Sequence, residues 1–268
     1  MITVTMPGKQ GDILLSIPVA LEIGRLNACD IRIVTSDYCA PVVPLLMAVP
    51  EIARITVLPE SVYRIVHTHH GAQPWEMPID GPAYHLGFRH FPHVGQPVTH
   101  LAGEPYGVVP APGPWLPRVP QVEPSYLAGE VEPGAPETVA VHIGERPASY
   151  RYMLRYALDG EKQRGIARAR CVRLIGTRGE LLSSGYKDYF TDSRIDVRVV
   201  EDYLDIWHAL AGCSLFVGVN SGPSIVAMGA GLPVIWPHRP DIEQERWAHV
   251  GCEVSTLDQH GVVRKLRD

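Results

Sequence analysis

The sequence has few cysteines, no long apolar run and no excess of basic residues, and each absence excludes a class of protein. The five cysteines are widely spaced and never form a CxxC pair, which argues against a disulfide framework and a zinc ribbon. No stretch of about 18 apolar residues occurs, so we expect no membrane-spanning helix. The net charge of −5 does not favour a nucleic acid or an acidic membrane as partner.

The compartment and the size of the protein follow from the same composition. No basic segment followed by an apolar one precedes the first apolar run, and scattered cysteines suit a reducing compartment, so we expect a cytoplasmic protein. With 268 residues, 46% of them hydrophobic, the chain is long enough for two α/β domains of modest size.

Residues 215–236 form the most informative pattern in the chain, a strand, a polar turn, a helix of small residues and a second strand. Residues 215–219 are apolar on both faces, as in a central strand of a parallel sheet. The turn Asn220-Ser221-Gly222 predicts an N-cap for a helix over 224–230. Unsatisfied N–H groups at such a helix start favour a bound phosphate, although an ordinary crossover without ligand has the same pattern.

The chain begins with a second unit of the same kind. Residues 2–6 predict a strand, residues 7–12 a glycine-containing turn, and the apolar spacing of 13–26 a helix. Two strand-turn-helix units far apart in the sequence predict two nucleotide-fold halves that face one cleft.

Alternating strands and helices elsewhere predict an α/β fold with two Rossmann-like domains, each with a mostly parallel sheet. Further strands are expected at 31–35, 55–58, 64–67, 138–143, 172–175 and 197–200, and helices at 41–49, 100–107, 149–169 and 203–211. The Pro-rich run 108–124 indicates an extended interdomain linker. We therefore predict an N-terminal domain over 1–125 and a C-terminal domain over 126–268.

Histidines and basic residues are concentrated in two segments. Seven of the 12 histidines lie in 67–100, but no carboxylate or cysteine shares a ligand spacing with them, so we favour loops lining a polar cleft over a metal site. Eight Lys and Arg residues lie within 146–173, and most of them predict a solvated helix face. Arg146 is the exception because it follows the carboxyl end of a strand, where open α/β sheets bind ligands.

Two motifs, in this order and at this separation, resemble those of glycosyltransferase family 9, whose best-known members are ADP-heptose:lipopolysaccharide heptosyltransferases. Residues 11–19 resemble the Gly-Asp turn and helix of that family, and residues 219–224 its Val-Asp-[Ser/Thr]-Gly-x-Ser turn. The chain departs from the pattern at Asn220, where Asp is usual, and at Ile225, where His is frequent. The resemblance implies a GT-B fold and inverting, metal-independent transfer of a sugar from a nucleotide-diphosphate donor to an acceptor hydroxyl.

The resemblance and the position of the first turn suggest roles for its residues. Asp12 is the candidate general base, although N-cap of the first helix is an equally good role for a carboxylate there. Lys9, Gln10 and Gly11 would bind the acceptor. For Lys9 the alternatives are a contact with phosphate or a solvated turn lysine.

The donor would bind the C-terminal domain. The diphosphate would lie on the turn and helix start formed by Asn220, Ser221, Gly222, Pro223 and Ser224. The candidates around the rest of the nucleotide are Gly176, Glu180 and Arg146. Glu180 follows a strand and could accept a hydrogen bond from a ribose hydroxyl, or could simply favour a helix N-terminus. No Asp-x-Asp pair is present, so we expect neither a metal nor a cofactor besides the nucleotide-sugar itself.

Two other functions and several acceptors remain open. The chain could be a catalytically silent nucleotide-sugar-binding protein, as Asn220 and Ile225 suggest, or an enzyme like the nucleotide-sugar epimerases. The acceptor could be a lipopolysaccharide core sugar, another glycan or a hydroxymethylated DNA base. Net acidity disfavours DNA, whereas the basic cluster in 146–173 favours it.

Overall fold

The chain folds into two mostly parallel sheets that share one apolar core. The computed structural model describes residues 1–6, 8–59, 83–86, 97–119, 138–142, 144, 169, 171–183, 195–238, 244–258 and 263–266. The predicted strand at 64–67, the predicted helix at 149–169 except its last residue, and the predicted domain boundary at 125 lie outside these residues. None of the helices in the described part is long and apolar enough to cross a membrane.

The N-terminal half carries a four-stranded sheet in the order β3-β2-β1-β4, with every pair parallel. Its elements are β1 (Ile2–Thr5), α1 (Gln10–Leu26), β2 (Ile31–Ser36), a 3-10 helix (Asp37–Val42), α2 (Val43–Met47), β3 (Ile52–Leu58) and β4 (Ala83–His85). The first strand-turn-helix unit therefore forms as predicted, with the helix starting at Gln10 rather than Ile13.

A helix and an irregular strap join the two halves. The helix α3 (Val98–Gly103) is followed by a short 3-10 helix (Glu104–Tyr106) in the region predicted as one helix. Residues 108–119, here called the strap, contain neither helix nor strand.

The strap lies within the segment predicted as an extended interdomain linker, and it packs against the C-terminal half. Trp115 and Leu116 are buried, and their N–H groups both donate to the carbonyl of Gly229. The Trp207 indole N–H donates to the carbonyl of Pro117 at 3.1 Å. Bulky apolar residues among the prolines thus fix the strap to the C-terminal half.

The C-terminal half carries a seven-stranded sheet in the order β11-β10-β9-β8-β5-β6-β7, with only β10 and β11 antiparallel. Its elements are β5 (Thr138–His142), β6 (Cys171–Gly176), α4 (Arg178–Ser183), β7 (Ile195–Val199), α5 (Tyr203–Ala209), β8 (Leu215–Val217), α6 (Gly222–Gly229), β9 (Val234–Pro237), β10 (Val254–Leu257) and β11 (Val263–Lys265). The second strand-turn-helix unit also forms, and its helix begins at Gly222.

The strand order of the C-terminal sheet reverses between β5 and β8, which are neighbours in the sheet. From β5 the sheet continues to β6 and β7 on one side, and to β8, β9, β10 and β11 on the other side. In open α/β sheets a crevice forms outside the carboxyl ends of the strands at such a switch point, and ligands bind there. The turn from β8 into α6 lies at this point.

One core connects the two sheets. Val4 and Ile17 of the N-terminal half belong to the same buried cluster as Phe216 and Ile225 of the C-terminal half. The other face of the C-terminal sheet has a separate cluster that includes Val141. Because side chains alternate along a strand, His142 lies on the face that packs against the N-terminal half.

Candidate functional site

A cavity of about 600 Å³ opens at the carboxyl ends of the C-terminal strands. Its polar lining residues are Gln10, His142, Thr177, Glu180, Glu201, Asp202, Tyr203, Asn220, Ser221 and His238. All except Gln10 belong to the C-terminal half, so the cavity lies at the switch point and touches the N-terminal half at the start of α1. This volume is within the range of cavities that hold small molecules.

The start of α6 forms one wall of the cavity. Ser221 is the N-cap, and its backbone N–H donates to Oγ of Ser224 at 3.1 Å. The Ser224 hydroxyl in turn donates to the Ser221 carbonyl at 2.8 Å, and Ser224 is fully buried. Ser224 therefore holds the turn in shape, whereas Asn220, Ser221, Gly222 and Pro223 line the cavity.

Glu180 lines the opposite side, at the start of α4 after β6. The N–H of Thr177 donates to Oε2 of Glu180 at 2.7 Å, and the N–H of Glu180 donates to the Thr177 hydroxyl at 3.3 Å. Burial acts to raise the pKa of Glu180, but His142 and the bonds with Thr177 outweigh it and lower the pKa. The carboxylate is thus ionised at neutral pH.

His142 ends β5 between Glu180 and the turn into α6. Its Nε2 lies 3.7 Å from Oε1 of Glu180, and the side chain is 7% exposed. A Cβ placed on Gly218 would lie 3.3 Å from Cβ of His142, so the base of this side chain lies beside the start of the β8–α6 turn. Its Nδ1 is buried and has no hydrogen-bond partner among the described residues.

Tyr203 and Gln10 join the two halves at the edge of the cavity. The Tyr203 hydroxyl donates to Oε1 of Gln10 at 3.1 Å, and Nε2 of Gln10 donates to the carbonyl of Tyr38 at 3.1 Å. Burial raises the pKa of Tyr203 far above its ordinary value, so the phenol remains a donor. The Tyr203 ring also covers Gly222, since a Cβ on that glycine would lie 2.1 Å from the hydroxyl oxygen.

Asp12 lies in the first turn of α1. Its Oδ2 accepts a hydrogen bond from the backbone N–H of Lys9 at 3.0 Å, and the residue is 9% exposed. The chain passes close by at Gly8, where a Cβ would lie 2.4 Å from Cβ of Asp12. Asp12 is therefore not the N-cap that the sequence offered as its alternative role, because Lys9 holds that position; from the third helical position its carboxylate accepts the N–H of the N-cap and so helps to hold the start of the helix.

The two helix starts are in contact. A Cβ placed on Gly11 would lie 3.4 Å from Cδ1 of Ile225 and 3.9 Å from the backbone nitrogen of Gly222. Ile225 is 3% exposed and fills the space between the two turns. The first turn of α1 thus lies within a few ångströms of the first turn of α6.

The structure brings part of the predicted site together. Among the predicted residues, those lining the cavity are Gln10, Glu180, Asn220, Ser221, Gly222 and Pro223. Those described but not lining it are Lys9, Gly11, Asp12, Gly176 and Ser224, of which Lys9 is exposed. Arg146 lies outside the described residues.

His142, Thr177 and Tyr203 are cavity residues that the sequence did not indicate. His142 has a recognisable signal, a histidine at the end of an otherwise apolar central strand. Of the histidines in 67–100, His85 is in β4 and His100 in α3, and the other five lie outside the described residues. The described part of the chain contains no group of three or more His, Cys, Asp or Glu residues placed to hold a metal ion.

No protein-family profile and no curated protein sequence matches the chain. Solved structures do match its fold. A glycosyl transferase family 9 protein from Veillonella parvula DSM 2008 superposes with a TM-score of 0.66 at 14% identity, covering 96% of this chain and 85% of that one. The E. coli heptosyltransferase WaaC with ADP superposes with a TM-score of 0.63 at 11% identity, covering 97% of this chain and 94% of that one. E. coli ADP-heptose LPS heptosyltransferase II superposes with a TM-score of 0.59 at 16% identity, covering 99% of this chain and 93% of that one.

These structures extend over almost the whole chain and include both sheets. At this level of identity they establish the fold and leave the reaction to be argued from the site. The resemblance and the α/β architecture predicted from the two turn motifs are therefore confirmed at the level of the fold, and the chain has the GT-B-like fold of the family 9 glycosyltransferases.

Proposed function

We propose that the protein is an inverting glycosyltransferase that moves a sugar from a nucleotide-diphosphate donor to an acceptor hydroxyl without a metal ion. The observation that supports this proposal most directly is the cavity at the switch point, which is lined by both the start of α6 and the Glu180 carboxylate. A helix start suits a diphosphate, and a carboxylate after the second strand of such a sheet suits a ribose. The GT-B-like fold supports the same assignment by analogy.

The donor would lie across the cavity with its diphosphate on Ser221 and Gly222 and its ribose at Glu180. Backbone N–H groups and the positive end of the α6 dipole would stabilise the charge that develops on the departing diphosphate. These groups take the part that a divalent cation has in other transferases. Arg146, which follows β5 by four positions in the sequence, is a further candidate for the phosphates.

In the reaction the acceptor oxygen would form a bond to the anomeric carbon while the bond from that carbon to the donor phosphate oxygen breaks. The acceptor proton would go to Asp12, and the nucleoside diphosphate would leave with the electron pair of the broken bond. Asp12 uses one carboxylate oxygen to hold the helix start, and a carboxylate has acceptor sites for further partners. Lys9, Gln10 and Gly11 would position the acceptor beside it.

A silent nucleotide-sugar-binding protein is the second candidate. The observation that favours it is Ile225, an apolar side chain packed between the two helix starts where the related pattern has a histidine. Such a protein would bind the donor and release no sugar.

A glycan hydroxyl is the acceptor that we favour. The charged residues of the described cavity lining are the carboxylates Glu180, Glu201 and Asp202, which would repel a DNA backbone. The net charge of −5 acts in the same direction.

Nucleotide binding tests the donor assignment directly. We expect ADP, GDP, CDP or UDP to bind by titration calorimetry in the presence of EDTA, and Gly222→Ala to weaken that binding. An absolute requirement for magnesium or manganese would contradict the metal-free part of the proposal. Mass spectrometry of the matching nucleotide-sugars would then detect slow transfer to water, which the silent binder would not catalyse.

A further inference from the structure

The N-terminal half contributes a polar side chain to the wall of the cavity. Gln10, the first residue of α1, lines it together with Pro41, whereas the other described lining residues belong to the C-terminal half. The Gln10 side chain is only partly buried, so a molecule in the cavity can reach its amide. The function proposed above gives Gln10 a place beside the acceptor, and its position in the donor cavity indicates a second contact.

Two hydrogen bonds hold the Gln10 amide in one orientation. Its Nε2 donates to the carbonyl of Tyr38, and because a carbonyl only accepts, the NH₂ group must be the one that faces Tyr38. Its Oε1 accepts from the hydroxyl of Tyr203. Burial raises the pKa of Tyr203 far above its ordinary value, so the phenol stays protonated and remains the donor. A side chain held in this way loses little conformational freedom when it binds a ligand.

These two bonds use half of the hydrogen-bonding capacity of the amide. The NH₂ group has two N–H donors and the oxygen has two lone pairs, so one donor and one acceptor remain after the bonds to Tyr38 and Tyr203. A sugar hydroxyl also both donates and accepts one hydrogen bond or more. The remaining positions of the amide therefore match the hydroxyls of a sugar.

Gln10 lies next to the start of α6, where the diphosphate is proposed to bind. The Tyr203 hydroxyl that donates to Gln10 also lies against Gly222, since a Cβ on that glycine would be 2.1 Å from the hydroxyl oxygen. One phenol oxygen thus separates the amide from the helix start. In a nucleotide-sugar the sugar is attached directly to the terminal phosphate, so its ring has to lie beside the diphosphate and within reach of Gln10.

We propose that the Gln10 amide binds a hydroxyl of the sugar that is transferred and so helps to select the donor sugar. The inference rests on the proposed function and deepens it, because it gives Gln10 a contact with the donor as well as with the acceptor. Few polar groups in a small-molecule site fix the orientation and identity of the ligand, and a rigid amide is suited to that part.

The consequence is a separation between nucleotide and sugar recognition. Gln10 should contribute to the affinity for a nucleotide-sugar and contribute little to the affinity for the nucleoside diphosphate alone. A site that hydrogen-bonds a substrate hydroxyl rejects analogues without that hydroxyl, because its own polar groups are then left unpaired.

The test is calorimetric titration of wild type and Gln10→Met with ADP, GDP and UDP, and with ADP-glucose, GDP-mannose and UDP-glucose. Methionine has nearly the length of glutamine and lacks the amide. For the pair that wild type binds most tightly, we expect Gln10→Met to change the affinity for the diphosphate by less than about threefold and to weaken the nucleotide-sugar by about tenfold.

Tyr203→Phe is the matched control for the bond between the two halves. It removes the hydrogen bond to Gln10 but keeps the amide and its bond to Tyr38. The ratio of the affinity for the nucleotide-sugar to that for the diphosphate should therefore stay within about threefold of the wild-type ratio. If Tyr203→Phe lowers this ratio as much as Gln10→Met does, the cause is the bond between the halves, and the inference is overturned.

A measurement on wild-type protein covers the case in which Gln10→Met does not fold. The side-chain NH₂ resonances of Gln10 in ¹⁵N-labelled protein should shift when the nucleotide-sugar is added and much less when the diphosphate is added. Equal shifts with the two ligands would overturn the inference and leave the proposed function standing, as would a Gln10→Met variant that weakens both ligands equally or neither. Failure of all six compounds to bind would overturn both.

Discussion

The hydroxyl of Tyr203 donates a hydrogen bond to Oε1 of Gln10 at 3.1 Å, across 193 positions of sequence. Gln10 is the first residue of α1, and Tyr203 is the first residue of α5, so the bond links the two halves at the edge of the cavity. The same Gln10 amide donates to the carbonyl of Tyr38, which fixes its orientation. The starts of α1 and α5 are thus held in one arrangement.

Tyr203→Phe should lower the free energy of unfolding by about 0.5–1.5 kcal/mol, because it leaves the Gln10 oxygen without its donor while keeping the ring. Urea unfolding at pH 7 measures this. Tyr38→Phe is the matched control, since the Tyr38 side chain is 48% exposed and only its backbone carbonyl contacts Gln10. We expect that control to change stability by less than about 0.5 kcal/mol. Equal changes in the free energy of unfolding for the two variants would show that the Tyr203 hydroxyl does not contribute to stability.

Gly222 is a position where any side chain should be costly. A Cβ there would lie 2.1 Å from the Tyr203 hydroxyl oxygen and 2.6 Å from its ring, so Gly222→Ala requires the ring to move. We expect a loss of about 1–3 kcal/mol in stability and weaker nucleoside diphosphate binding. Thermal unfolding and calorimetry measure the two effects.

Gly179→Ala provides the contrast, because a Cβ at that helical position meets nothing within 4 Å. Alanine is the better helix former, so this change should stabilise the protein by up to about 1 kcal/mol. The cost of Gly222→Ala should largely disappear in a Tyr203→Ala background. If it persists there, the tyrosine ring is not its cause.

Local patterns were sufficient to predict the strand-turn-helix units. The apolar strand ending at Val217, the capping serine Ser221 and the apolar spacing of α1 are all encoded within a few residues of each other. The sequence also contains a partial signal for the packing of the strap, because Trp115 and Leu116 are bulky apolar residues among prolines and both are buried.

Contacts between distant segments could not be predicted from one sequence. The pairing of Tyr203 with Gln10 and the approach of Gly11 to Ile225 depend on how the two halves dock, and no local pattern specifies that. The local pattern shows only a histidine at the end of an apolar strand, and the sheet order is what places His142 at the switch point. The turn at 220–222 could be predicted because its pattern lies within a few residues, whereas the contacts between the two halves involve residues far apart in the sequence.

His249 should make the stability of the protein depend on pH. It is fully buried, with Nδ1 2.9 Å from the Thr99 hydroxyl and Nε2 2.9 Å from the carbonyl of Ala111. Burial lowers its pKa, the bond to Ala111 acts to raise it, and the nearby His100 lowers it again. The unfolded chain therefore binds a proton near pH 6.5 that the folded chain still excludes.

This contribution to stability is present above about pH 6.5 and is lost as pH falls from there toward the folded pKa, by at most about 1.4 kcal/mol per pH unit. Urea unfolding at pH 7.5 and 5.5 should show a smaller decrease for His249→Gln than for wild type, although the variant is less stable at both. His208→Gln, at an exposed position of α5, should keep the wild-type pH dependence. An unchanged pH dependence in His249→Gln would mean that His249 does not titrate differently in the two states.

Asp12→Asn should abolish glycosyl transfer while leaving the donor bound. The amide oxygen can still accept the hydrogen bond from the Lys9 N–H, so the helix start is kept and stability should change by no more than about 1 kcal/mol. The amide cannot take the acceptor proton, and general base catalysis contributes about a hundredfold to ten-thousandfold in rate. The measurements are turnover by mass spectrometry and nucleoside diphosphate affinity by calorimetry.

Ser221→Ala is the complementary change, because Ser221 lines the cavity at the proposed diphosphate position. It should weaken nucleotide binding and leave the rate at saturating donor much less affected than Asp12→Asn does. The two variants thereby separate proton transfer from donor binding. Near-normal turnover by Asp12→Asn, with a competent acceptor present, would restrict Asp12 to its role at the helix start. The proton would then have to go to another cleft residue, and His142, beside the proposed phosphate position, would be the next side chain to replace.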